Sequence, residues 1–161
     1  MAVESVDAQM NPEARSLNLR IPPHARFSRL VRQEVTAFAK EFEIGRDDLA
    51  VFIFALGEAL ANAIEHSRSS RPIEVRCEIE DDKILATVLD SGAGFRVDPV
   101  RRGTLPSEFA ERGRGLPIMR RCTDIFALHS VPGRGTAVVL GRYLRNGNAG
   151  WNAAQETGFA S

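Results

Sequence analysis

The sequence is poor in cysteine and carries no net charge. Its two cysteines, Cys77 and Cys122, are far apart and lack the paired spacing of a zinc or redox site, so we interpret both as buried free thiols. The 21 basic residues equal the 21 acidic residues in number. Overall charge therefore gives no reason to expect nucleic acid or a membrane surface as a partner, and we predict neither.

Long hydrophobic segments are also lacking. The N-terminus has no apolar core of a signal peptide, and no run approaches the roughly 20 apolar residues of a membrane span, so we expect a cytoplasmic protein. A chain of 161 residues can bury one core without disulfides or metal. We predict a flexible arm at residues 1–16, one domain at residues 17–144, and a disordered tail rich in Gly, Asn and Ala at residues 145–161.

Hydrophobic periodicity predicts helices alternating with strands. Apolar residues recur every three or four positions over residues 25–42 and again up to about His66, which is typical of two amphipathic helices. We expect Asp47 or Asp48 to cap the second helix. Two-residue alternation predicts an edge strand at residues 17–21, strands at 72–80 and 83–90, and a hairpin formed by residues 126–131 and 136–143. A helix entered at about Gly115, with Pro117 in its first turn, precedes that hairpin.

A polar row interrupts the second predicted helix, in which Glu58, Asn62 and His66 recur every four residues and so share one face. A solvated helix face is the ordinary explanation of such a row. The functional alternative is that Asn62 offers its carbonyl oxygen to Mg²⁺, which also takes phosphate oxygens, while Glu58 acts as general base. His66 either approaches phosphate or caps the end of the helix.

Three glycine-containing motifs follow. In "DSGAGF", Asp90 ends an apolar strand and can accept a hydrogen bond from an amine such as that of adenine, while Gly92 and Gly94 permit close backbone approach. In "RGRGLPIM", glycines lead into a helix N-terminus, a site that favours phosphate. In "GRGT", Gly135 and Thr136 begin the last strand. Each motif alone is also explained by an ordinary turn.

Taken in order, the four segments resemble the nucleotide-binding boxes of the GHKL ATPase superfamily, which includes gyrase B, Hsp90, histidine kinases and MutL. "EALANAIEH" resembles the N box, and the glycine motifs resemble the three glycine boxes. Within the superfamily, the chain most resembles the anti-sigma-factor serine/threonine kinases of bacterial partner switching, because it is short and its N box ends in histidine. The resemblance implies an α/β fold, the Bergerat-type ATP-binding sandwich, whose mostly antiparallel mixed sheet carries helices on one face.

The resemblance also implies roles for particular residues. Glu58 matches the base, Asn62 the Mg²⁺ ligand and Asp90 the acid that reads adenine, and residues 96–112 match the ATP lid. The further residues that it assigns to nucleotide binding are His66, Gly92, Gly94, Arg112, Gly113, Arg114, Gly115, Leu116 and Thr136.

The function implied is an ATP- and Mg²⁺-dependent kinase that holds a sigma factor and phosphorylates serine or threonine on an anti-anti-sigma protein of the STAS type. A homodimer is implied by the family alone. A nucleotide-responsive adaptor that sequesters its partner without phosphotransfer is the alternative, although an adaptor has no need of both Glu58 and Asn62. The catalytic domain of a two-component histidine kinase is disfavoured, because His24 follows two prolines and is better explained as a residue at a helix start.

Overall fold

The structure is a computed structural model and describes residues 6–95 and 115–144. In this part of the chain, six strands form one sheet in the order β1-β2-β3-β4-β6-β5, and every neighbouring pair is antiparallel. The elements in chain order are β1 Asp7–Asn11, β2 Ser16–Ile21, α1 Arg26–Glu41, α2 Arg46–Ser67, β3 Ile73–Ile79, β4 Lys83–Asp90, α3 Gly115–Cys122, β5 Ile125–Val131 and β6 Gly135–Tyr143. The predicted α/β architecture is confirmed.

The two faces of the sheet differ because side chains alternate along each strand. On β3, Ile73, Val75 and Cys77 are buried, whereas Glu74 and Arg76 between them are exposed. The buried face packs against the helices and forms one core, which also holds Phe38, Phe52, Leu56, Leu60, Ile84 and Leu140. The charged face carries exposed ion pairs, including Arg76–Glu78 at 2.7 Å. Such pairs contribute at most about 1 kcal/mol each, so the apolar face accounts for the stability of the sheet.

Helix α2 lies at the centre of the domain, in contact with α1, α3, β4 and β6. Its buried residues follow the helical period that the sequence predicted, with Leu49, Phe52, Leu56 and Leu60 all directed into the core. By length and composition alone, this helix of 22 residues is also apolar enough to cross a membrane. One such helix is weak evidence of a membrane span, because the core helix of a soluble protein passes the same test.

The start of the chain differs from the predicted flexible arm. Residues Asp7–Asn11 form β1, which pairs with β2 from Asp7 opposite Arg20 to Asn11 opposite Ser16. All five residues of β1 are exposed, so the strand has no buried face and no apolar alternation to reveal it. Consequently β2 is not the edge strand that we predicted. Residues 1–5 and the tail at 145–161 lie outside the described residues, and their predictions stay predictions.

The start of α2 also differs from the prediction. Gly45 occupies the N-cap position without a side-chain hydrogen bond, and both predicted capping aspartates lie within the first turn. Asp48 instead accepts a 2.9 Å hydrogen bond from Nε of Arg142 on β6, and both side chains are largely buried. An acidic side chain in the first turn still favours the helix through the helix dipole. The ion pair fixes this end of α2 to the sheet.

Candidate active site

The polar row of α2 lies beneath the first residue of α3. A Cβ built on Gly115 would lie 3.2 Å from Oε2 of Glu58 and 3.4 Å from Nδ2 of Asn62. Both side chains are half-buried, so this part of the row is not the solvated face of a helix. The first N–H groups of a helix lack intrahelical partners and carry the positive end of its dipole. A carboxylate, an amide and a helix N-terminus therefore meet at one point.

Asp90 forms the second part of the site, at the end of β4. Its side chain is only 5% exposed, and Oδ1 accepts a 2.9 Å hydrogen bond from the N–H of Gly92. Burial raises the pKa of this carboxyl above its usual range, while the N–H groups of Gly92 and Thr136 and the charge of His66 act in the opposite direction. The result is an acceptor held in one orientation by the backbone and shielded from water.

A small cavity joins the two parts of the site. Asn62, His66, Asp90 and Thr136 line it together with apolar side chains of the sheet such as Val88. Its volume of about 20 Å³ is room for about one water molecule. A purine is far larger than this cavity and would fit only if the apolar walls of the cavity moved apart.

The turn after Asp90 depends on two glycines for different reasons. Gly92 lies against the last turn of α2, where a Cβ would be 2.5 Å from Cα of Ser67. Gly94 has a φ of +58°, and a Cβ there would clash with the carbonyl oxygen of Val131. The turn therefore packs between α2 and the β5–β6 hairpin with no room for side chains. Close packing here brings Asp90 and the end of α2 to the same cavity.

One buried polar residue, Ser130 on β5, was missed by sequence reasoning. Its Oγ lies 2.8 Å from Oγ1 of Thr136 and accepts a 2.9 Å hydrogen bond from the N–H of Phe95. The hairpin register that pairs Ser130 with Thr136 was accessible from the predicted turn "PGRG". The contact with Phe95 could not be predicted from the sequence, because it joins residues 35 positions apart.

Several predicted site residues remain to be placed. Arg112, Gly113 and Arg114 lie outside the described residues, as does the predicted lid, and nothing is described of the side chain of Leu116. The structure brings together Glu58, Asn62 and Gly115 at one end of the site. At the other end it gathers His66, Asp90, Gly92, Gly94 and Thr136.

Comparison with known proteins identifies the family. Residues 21–142 match the histidine kinase-like ATPase domain. The chain belongs to this family. Its histidine kinase-like ATPase domain covers the strands and helices described above except β1, all of β2 but Ile21, and Tyr143 at the end of β6. Membership confirms the GHKL resemblance and, since this is a family of ATPase domains, implies an ATP site.

Individual relatives of this ATPase domain include proteins named as anti-sigma F factors. It is 31% identical over 120 residues to an anti-sigma F factor of Caldanaerobacter subterraneus subsp. tengcongensis, covering 70% of this chain and 82% of the relative. It is 27% identical over 127 residues to the anti-sigma F factor of Oceanobacillus iheyensis, covering 75% and 87% respectively. A crystal structure of the RsbU and RsbW domains of a Mycobacterium tuberculosis protein superposes with a TM-score of 0.61 at 19% identity. That match covers 80% of this chain but only 32% of the solved one, and it supports the fold alone.

Proposed function

We propose that this protein is an ATP-dependent anti-sigma factor that sequesters a sigma factor and phosphorylates serine or threonine of a STAS-type anti-anti-sigma protein. The observation that carries the proposal is the meeting of Glu58 and Asn62 under the N-terminus of α3, next to the Asp90 cavity that Asn62 also lines. Relatives named as anti-sigma F factors support the sigma factor as a partner.

The two ends of the site suit the two ends of ATP. Asp90 is an acceptor held by backbone N–H groups, and it matches the exocyclic amine of adenine. The start of α3 presents free backbone N–H groups to the phosphates. Glu58 and Asn62 lie at that same start, beside Gly115, so the reacting phosphate would be next to a carboxylate and an amide.

Asn62 fits a magnesium ion carried with the nucleotide. Within residues 6–95 and 115–144, no cluster of three or more His, Cys, Asp or Glu side chains is placed to hold a metal. Mg²⁺ needs no such cluster when phosphates supply most of its oxygens, and one amide oxygen of Asn62 is then a sufficient protein ligand. When bound there, Mg²⁺ would neutralise charge on the phosphates.

Glu58 is suited to receive the proton of the attacking hydroxyl. Its Oε2 lies directly beneath Gly115, with nothing but hydrogen on the Gly115 Cα between carboxylate and helix start. The carboxylate would accept the proton of a serine or threonine as its oxygen attacks the terminal phosphate. A positioned general base contributes about 10²- to 10⁴-fold to the rate, and positioning and charge neutralisation contribute the rest.

A homodimer and a cytoplasmic location belong to the same proposal and depend on the family resemblance. Sedimentation of the purified full chain would test the dimer, with a mass of about twice 17.7 kDa expected.

The experiment that tests the function is capture of partners from the native host with the full chain and Mg·ATP, followed by phosphosite mass spectrometry. We expect a captured STAS-type protein that carries phosphate on serine or threonine, and a captured sigma factor that carries none. Partner capture that requires Mg·ATP but yields no phosphoprotein would overturn the kinase assignment in favour of a sequestering adaptor. Glu58→Gln serves as the matched variant, because it keeps shape and volume while removing the base.

A further inference from the structure

Ser130, on β5, makes three polar contacts next to the turn that contains Gly92 and Gly94. Its side chain is buried, at 9% exposure. Oγ accepts the N–H of Phe95 at 2.9 Å, lies 2.8 Å from Oγ1 of Thr136, and lies 3.2 Å from the carbonyl oxygen of Gly135. The Phe95 N–H lies at the end of the glycine turn, whereas Gly135 and Thr136 lie at the start of β6.

The hydroxyl can serve all three groups because it has one proton and two acceptor lone pairs. The N–H of Phe95 donates a hydrogen bond to one lone pair. The proton of Ser130 is donated to the carbonyl oxygen of Gly135, so the second lone pair can accept the proton of the Thr136 hydroxyl, at the usual O–H···O separation. Thr136 in turn lines the Asp90 cavity. Ser130 thus joins a side chain of the cavity wall to the backbone at the end of the turn.

The rest of the turn is held by hydrogen bonds that need no side chain from β5. Asp90 accepts the N–H of Gly92 at 2.9 Å, and the carbonyl of Ala93 accepts the N–H of Gly133 at 2.6 Å. Phe95 is the residue of the turn whose N–H is bound by a side chain of β5, and that side chain is Ser130. Removing its hydroxyl takes a partner from both the Phe95 N–H and the Thr136 hydroxyl.

We propose that Ser130 is a positioning residue for nucleotide binding, which holds the Thr136 hydroxyl toward the cavity and fixes the end of the glycine turn at Phe95. The proposal rests on the proposed function, because the ligand it serves is ATP. Ser130 itself lies behind Thr136 and the turn, so its effect on the nucleotide is indirect.

Two readouts test this: ATP affinity by calorimetry, and amide hydrogen exchange of Phe95 without nucleotide. Ser130→Ala should bind ATP about tenfold more weakly, since Phe95 and Thr136 lose the hydroxyl to which they are bound, and its Phe95 amide should exchange faster than in the wild type. Thr136→Val should weaken ATP binding but leave exchange at Phe95 slow. Ser130→Thr retains a hydroxyl and should restore both properties. Ser16→Ala removes another buried hydroxyl, on β2, and should change neither.

ATP affinity of Ser130→Ala within twofold of the wild type, or unchanged exchange at Phe95, would overturn the proposal. If the wild type itself fails to bind ATP, the proposed function fails, and exchange at Phe95 in Ser130→Ala still decides whether the serine fixes the turn. Should Ser130→Ala not fold, Ser130→Cys takes its place, because the thiol keeps the shape but is a weak hydrogen-bonding group. Wild-type behaviour of Ser130→Cys in both readouts would equally overturn the proposal.

Discussion

Replacing Gly92 by alanine tests whether the glycine turn is packed as closely as the structure shows. The new Cβ would lie 2.5 Å from Cα and 2.7 Å from the carbonyl carbon of Ser67, where ordinary contacts are 3.4–4 Å. The turn or the end of α2 must therefore move by about 1 Å. Neither is a flexible side chain, so the strain is typical of overpacking, at about 1–3 kcal/mol.

The same movement disturbs a second interaction. The N–H of Gly92 donates to the buried carboxylate of Asp90 at 2.9 Å, and a hydrogen bond to a charged group contributes about 1.5–3 kcal/mol. We expect Gly92→Ala to lower the free energy of unfolding by about 2.5–6 kcal/mol, counting both effects. Urea denaturation with linear extrapolation measures this change. ATP affinity should fall in parallel, because the misplaced group is the carboxylate that we propose binds the base.

Gly45→Ala is the matched control for this prediction. A Cβ there meets nothing within 4 Å, and φ at Gly45 is −57°, which alanine adopts freely. Its free energy of unfolding should stay within about 1 kcal/mol of the wild type. If Gly92→Ala is as stable as Gly45→Ala, the turn does not pack against α2 as described, and the argument that glycine is required there fails.

Three other perturbations have definite expected outcomes. Because burial raises the pKa of Asp90, ATP affinity should fall with decreasing pH before an ordinary aspartate protonates, and calorimetry from pH 7 to 4 would show this. The sign for stability is opposite: an acid whose folded pKa is raised destabilises the folded state above that pKa, so this carboxyl contributes more to the free energy of unfolding as the pH falls. The thiol of Cys77, with its pKa raised to about 12 by burial, should resist alkylation at pH 8 until the protein unfolds, as mass spectrometry would report. Asp48→Ala leaves Arg142 without its carboxylate partner and should cost about 3 kcal/mol in urea denaturation, whereas an unchanged midpoint would show that this pair does not fix α2.

The architecture was largely predictable because its elements bury one face. The row of Leu49, Phe52, Leu56 and Leu60 determines α2, and alternation along Ile73–Ile79 determines β3. β1 was not predictable, since all its residues are exposed and its position depends on pairing with β2 rather than on its own side chains. The predicted cap of α2 was wrong because the side chain of Asp48 binds Arg142, a residue 94 positions away.

The site followed from the sequence only in part. Spacing placed Glu58 and Asn62 on one face of α2, but only the folded structure brings Gly115 over them. The turn after Asp90 was recognisable from its glycines, whereas the need for Gly92 comes from a contact with Ser67 on another element. Ser130 had no signal of its own in the sequence. Long-range contacts of this kind are set by tertiary packing, which local patterns do not encode.

The most direct test of the central claim is the rate of phosphate transfer from Mg·ATP to the captured STAS-type partner, compared in wild type, Glu58→Gln and Glu65→Gln. Glu65 is an exposed glutamate on the same helix and serves as the control. The account predicts that Glu58→Gln binds ATP normally but transfers phosphate about 10²- to 10⁴-fold more slowly, while Glu65→Gln matches the wild type. Equal transfer rates in wild type and Glu58→Gln would contradict the role of Glu58 and the assignment of this site.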